Sequence, residues 1–106
     1  MVIERFDIYL VRLEPTVGAE MRKTRPCVIV SPNVMHRYLQ TVILGPMTSS
    51  QTGYPTRVAC HFANKLGEIA LDHLRAVDHT RLVKRVGHID PQTASELLRK
   101  LRDLFN

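Results

Sequence analysis

The chain has 106 residues, of which 44% are hydrophobic and 24% charged, a balance that predicts one folded domain over residues 1–106 and excludes a disordered chain. Fifteen Lys and Arg against ten Asp and Glu leave a formal charge of +5, which favours an anionic partner, either nucleic acid or an acidic protein segment. No apolar run reaches the length of a membrane span, and Cys27 and Cys60 stand without a CxxC or a Cys/His cluster, so no membrane, disulfide framework or zinc site is expected.

The opening Met1–Asp7 stretch carries acidic residues and lacks the basic-then-apolar layout of a signal peptide, which predicts a cytoplasmic location. A first strand is expected from Phe6 to Leu13, with Phe6, Ile8 and Leu10 on one face and Asp7, Tyr9 and Val11 on the other. Glu14 to Thr24 follows as a long connection holding Pro15 and Gly18. Structureless loops of that length are uncommon in compact domains and often functional. Arg25–Val30 is a nearly continuous apolar strand, with Pro26 tolerated only at its start. Ser31-Pro32-Asn33 reads as a helix start, Ser31 as N-cap and Pro32 at the first helical position, for a short helix ending near Leu39.

Gln40–Met47 is a third strand, broken by Gly45-Pro46, and Thr48–Pro55 a polar loop. Strands are expected at Thr56–Phe62, Gly67–Asp72 and Val83–Ile89. Asp90-Pro91 then caps and starts an amphipathic helix, with Ala94, Leu97, Leu98, Leu101, Leu104 and Phe105 on its apolar face. The fold class expected is mainly β with flanking helices (α+β). It is a small SH3-like barrel of antiparallel strands, with a short helix after strand 2 and an amphipathic C-terminal helix.

Positive charge gathers at Arg22-Lys23-Thr24-Arg25 and again at Arg81, Lys84 and Arg85. A bare basic cluster is more often a solvated surface than a site. Arg25 differs because it stands at a loop–strand junction beside Pro26, where rigid backbone holds the cation. Thr48, Ser49, Ser50 and Gln51 offer hydroxyl and amide donors suited to phosphate oxygens, although taken alone they are ordinary turn formers. The five histidines show no metal-binding spacing. Residue chemistry alone therefore stops at a basic domain that binds an anion.

The runs Asp7-Ile8-Tyr9-Leu10-Val11, Pro15-Thr16-Val17-Gly18-Ala19-Glu20 and Thr24-Arg25-Pro26-Cys27-Val28-Ile29-Val30 resemble the opening of the MazF/PemK-type toxins. The likeness continues through Val42–Ser49, the Gly53-Tyr54-Pro55 turn, Ile69–Asp78 and the closing helix. Each motif is weak, whereas their order and spacing are specific. Phe6 stands where the pattern usually has glycine, a change expected to be harmless.

The resemblance implies the toxin of a type II toxin–antitoxin pair. It implies a homodimeric, sequence-specific endoribonuclease that cuts single-stranded RNA without a metal or other cofactor. Carried over residue by residue, it assigns catalysis to Arg25, Thr48 and Glu20, and base contacts to Asp72 and His73, the last standing where relatives usually have glutamine. Lys23, Ser49, Ser50, Gln51 and Tyr54 are the further RNA-binding candidates, Tyr54 as the best-placed aromatic in a chain with no Trp. The basic surface also suits an antitoxin with an acidic, disordered segment. Two other readings are a CcdB-like gyrase poison, disfavoured by the absence of tryptophan, and a non-catalytic RNA-binding barrel.

Overall fold

A strand that is apolar on both faces needs cover on both sides, and the first two strands have it. The structure, a computed structural model, describes residues 2–13, 18 and 23–106. Strands β1 (Asp7–Arg12) and β2 (Thr24–Ile29) pair antiparallel, with Ile8 opposite Val28 and Arg12 opposite Thr24. Ile8 and Val28 enter one core with Met47, Val58, Ile69 and Leu97, whereas Tyr9, Val11, Cys27 and Ile29 enter a second with Val42, Leu44 and Leu82. The alternation of side chains along the two strands divides them between these cores.

The elements that follow are α1 (Asn33–His36), β3 (Thr41–Thr48), β4 (Arg57–Phe62), β5 (Lys65–Ala70), β6 (Arg75–Asp78), β7 (Leu82–His88) and α2 (Pro91–Leu104). Single 3₁₀ turns at Leu71–His73 and His79–Arg81 flank β6. The strands form one antiparallel sheet in the order β4-β5-β3-β2-β1-β7, with β6 also on β3, and it curls into a half-barrel. Helix α2 buries Ala94 and Leu97 in the first core. Its start is as expected: the Asp90 carboxylate accepts from the Thr93 N–H at 2.7 Å, ahead of Pro91. Among the described residues no helix is long and apolar enough to cross a membrane.

Several sequence expectations need correction. Gly45-Pro46 does not break β3. It sits where β3 exchanges neighbours, Thr41–Leu44 pairing with β6 and Met47–Thr48 with β5, so the missing donor of Pro46 falls between two ladders. Pro26 lies third in β2, opposite Leu10, and is tolerated there because the β2–β3 ladder begins only at Cys27. β6, too short to show a period, is an additional strand. Leu104 and Phe105 project from the end of α2 and are exposed, so the buried stripe stops earlier than its spacing implies.

Ser31 is not a helix cap. Pro32 holds that position without a side-chain cap bond, and the buried Ser31 hydroxyl accepts from the Ile43 N–H at 3.0 Å and meets His36 Nε2 at 2.7 Å. A buried backbone donor claims the hydroxyl ahead of a solvated helix end. Phe6 adopts φ +75°, the left-handed region that favours glycine, so phenylalanine is not a neutral choice there. Its ring packs against the first core and lies under the Arg5 guanidinium at 5.5 Å, contacts that offset the backbone strain.

Candidate functional site

The β2–β3 register sets Cys27 opposite Pro46, and continued two residues it sets Arg25 opposite Thr48. Two residues far apart in sequence thus meet at one end of adjacent strands. The half-buried Arg25 donates from Nη1 to the Met47 carbonyl at 3.3 Å. Arg25 and Thr48 line a groove of about 360 Å³, together with Ser49, Phe62, Lys65 and Gly67. The Thr48 hydroxyl donates to Ser50 Oγ at 3.2 Å and accepts from the Ser50 N–H at 3.3 Å, which orients it at the head of the loop after β3.

Gly67 explains how β5 reaches this point. A Cβ there would run into the Thr48 carbonyl oxygen, so only glycine lets β5 pair with β3 at Thr48 and Glu68. The groove is therefore floored by backbone.

Beyond Glu68 lies a closed network of charge. Arg57, 9% exposed, donates from Nη1 to Glu68 Oε1 at 3.2 Å, and from Nε and Nη2 to the two Asp72 oxygens at 2.7 and 3.2 Å. Glu68 also accepts from Thr52 Oγ1 at 2.9 Å and from the Gly53 N–H at 2.8 Å, tying the loop after β3 down onto β5. Thr56 Oγ1 donates to Asp72 at 3.2 Å, the Tyr54 ring lies 5.5 Å from the Arg57 guanidinium, and Lys100 on α2 donates to the Arg57 carbonyl at 2.6 Å.

These contacts set the ionisation of the network. The hydrogen bonds from Arg57 hold the Asp72 carboxyl below its ordinary value. Burial pushes the Glu68 carboxyl up, but the bonds from Gly53, Thr52 and Arg57 outweigh it, and the net direction is down. The hydrogen bond to Asp72 raises Arg57, against the smaller opposing effect of burial. All three groups are charged together.

The structure sorts the sequence candidates into two sets. Arg25, Thr48 and Ser49 share the groove, with Ser50 attached through Thr48, whereas Asp72, His73 and Tyr54 surround Arg57. His73 Nε2 stands 3.6 Å from the Asp72 carboxylate. Gln51 and Lys23 are exposed, and Lys23 has φ +67° just before β2. Glu20 and most of the Glu14–Thr24 connection lie outside the described residues. Cys27 and Cys60 are free and buried; burial pushes the Cys27 thiol up to about 12 and raises Cys60 as well, which makes both poor nucleophiles.

Sequence reasoning missed Arg57, Glu68, Gly67 and Lys65. The first three act through strand register, which a single sequence does not reveal. Lys65 follows a two-residue hairpin turn, Ala63-Asn64, with both residues left-handed at φ +53° and +62°, and an alanine in that conformation hides the turn from the sequence.

The chain is similar to known proteins in sequence and in fold. The chain is 28% identical to "Endoribonuclease EndoA" of Bacillus subtilis (strain 168) over 99 residues, covering 87% of this chain and 84% of that protein. Among solved structures it resembles MazF from Deinococcus radiodurans, with a TM-score of 0.86, 23% identity and coverage of 99% of this chain and 97% of that one. It also resembles an endoribonuclease solved in complex with its cognate antitoxin from a mycobacterial species, with a TM-score of 0.82, 21% identity and coverage of 97% and 94%. These structural likenesses establish the shared fold. The model of the PemK-like, MazF-like toxins matches residues 4–105, and with that match the chain belongs to the PemK/MazF family, the toxins of type II toxin–antitoxin systems.

Proposed function

We propose that the chain is a sequence-specific, metal-independent endoribonuclease that cuts single-stranded RNA and so inhibits translation and growth. One observation carries the reading: Arg25 and Thr48, at the same end of the adjacent strands β2 and β3, line a common groove. In the reaction a ribose 2′-oxygen attacks the adjacent phosphorus and the bond to the 5′-oxygen of the next nucleotide breaks. The products are a 2′,3′-cyclic phosphate and a 5′-hydroxyl. Charge builds on the phosphoryl oxygens in the transition state, where a guanidinium on a rigid strand is the natural stabiliser.

In this mechanism Thr48 donates its hydroxyl to a phosphoryl oxygen, exchanging its bond to Ser50 for one to substrate. Arginine stays protonated in proteins, so the 2′-hydroxyl proton passes to another group. Glu20, a carboxylate of the connection before β2, is assigned that role, and solvent water protonates the departing 5′-oxygen. Lys23, Ser49, Ser50 and Gln51 hold the RNA backbone. Tyr54, Asp72 and His73 read its bases, with His73 as the adaptable member, because both Asp72 oxygens are engaged by Arg57. The partners are a second copy of the chain and an antitoxin whose acidic segment meets the +5 surface. The antitoxin complex of a structural relative supports that partner.

The test is incubation of the purified protein with a long single-stranded RNA in EDTA, with mapping of the cut ends. Cleavage is expected at a short recurring sequence, with cyclic-phosphate ends. Arg25→Ala should lower the rate about 10²–10³-fold without changing the fold. Intact RNA, or cutting that survives Arg25→Ala, overturns the reading.

A further inference from the structure

We propose that Lys65, carried on the β4–β5 hairpin, is a substrate-positioning residue that grips an RNA phosphate on the wall of the groove opposite Arg25. The proposal rests on the RNA-cleaving function and adds to it a contact on a separate element.

Three observations support it. The hairpin is stiff: Ala63 and Asn64 are both left-handed, at φ +53° and +62°, and ladder pairs run from Phe62 opposite Lys65 to Arg57 opposite Ala70. A turn of that kind matches the twist of its strands and leaves no slack in register. The hairpin is also anchored at the site, because β5 pairs with β3 at Thr48 and Glu68 and Gly67 abuts the Thr48 carbonyl. Lys65 lies two residues before Gly67 on the same side of β5, about 7 Å along the strand. From there a four-carbon stem reaches a phosphate neighbouring the one at Thr48.

The third observation is charge. The described lining of the groove contains Arg25 and Lys65 and no carboxylate. Lys65 is exposed, and among the described residues its ammonium has no hydrogen-bond or ion-pair partner. Phe62 and Leu66 flank it with apolar surface suited to a ribose or base face. An ammonium on a flexible stem acts as a point charge rather than a fixed fork, so Lys65 holds the strand and does not stabilise the transition state.

The experiment measures binding and cleavage separately. The probe is a single-stranded RNA spanning the mapped cleavage sequence, with a 2′-deoxy nucleotide on the 5′ side of the cut so that it binds without reacting. Lys65→Ala should raise Kd about fivefold at 0.1 M salt and flatten the slope of log Kd against log salt by about 0.7, the loss of one phosphate contact on a single strand. Lys65→Arg should restore both, and Lys65→Gln should match Lys65→Ala if the charge is what matters. The single-turnover rate at saturating RNA should remain within about twofold, and Arg102→Ala, on the exposed side of α2, should leave Kd unchanged. An unchanged salt slope in Lys65→Ala, or a lower saturating rate with unchanged Kd, overturns the proposal while the cleaving function stands. Failure of the unmodified protein to bind or cut RNA overturns the function itself.

Discussion

Two neighbouring regions on β5 treat charge in opposite ways. Around Glu68, Arg57 donates three hydrogen bonds to two carboxylates and lies against an aromatic ring, while a loop N–H and a threonine donate to the same Glu68. Around Gly67 and Lys65 the same strand faces an open groove whose described lining carries cations only. Both regions are rich in charged and polar residues, and composition does not distinguish them. What separates their cations is pairing: Arg57, bonded to two carboxylates, supports the fold, and Lys65, facing an open groove, is placed to meet a ligand.

The largest effect expected from this contrast is on stability. Arg57→Met leaves Glu68 buried beside Asp72 without its cation and should cost about 3–5 kcal/mol in urea unfolding. Adding Glu68→Leu should recover part of that loss, because the stranded carboxylate goes with it. If the double variant is as unstable as the single one, the network is not the coupled unit drawn here.

Next comes the backbone floor of the groove. Gly67→Ala places a methyl group against the Thr48 carbonyl and should cost about 2 kcal/mol, because neither strand can yield without breaking their ladder. Cleavage should fall with it. A smaller effect belongs to the open region alone: Thr48→Val should slow single-turnover cleavage about tenfold, with Thr48→Ser retaining most of the rate and neither shifting Tm appreciably. A large drop in Tm for Thr48→Val would mean that the hydroxyl serves the loop rather than the substrate.

The smallest effect is on pH dependence. Glu68 and Asp72 are held below their ordinary values in the folded state, so the unfolded chain binds protons first as the solution is acidified. Their stabilisation is complete above the unfolded carboxylate range near pH 4 and is lost as pH falls through the lowered folded values. Thermal unfolding between pH 6 and pH 3 should show that acid limb, and in Arg57→Met it should be shallower. Equal slopes would remove the network as its source.

How far the sequence disclosed all this depended on the range of the interaction. The Asp90-Pro91 helix start is legible because a cap and its N–H lie three residues apart. The apolar strands are legible because burial on both faces writes itself as a continuous run. Ser31 misleads because its competitor for the hydroxyl, Ile43 N–H, is distant in sequence. Gly45-Pro46 misleads because a change of strand partner has no local signature. For the candidate site, local chemistry pointed to Arg25 at its loop–strand junction and to the hydroxyls and amide of Thr48–Gln51, and the motif order of the family joined Arg25 to Thr48. Arg57 with its two carboxylates is a product of register, and register comes from the whole sheet.

The pairing of Asp7 with His88 gives the fold a timetable as well as a shape. β1 leaves the ribosome well before one of its two neighbours, β7, with β2 to β6 made between them, and α2 follows β7. Contacts so distant along the chain form late and close slowly. A nascent chain carrying both Arg25 and Thr48 therefore still lacks the outer strand on β1 and the helix over the first core. The groove takes its final form only after β7 and α2 have been added.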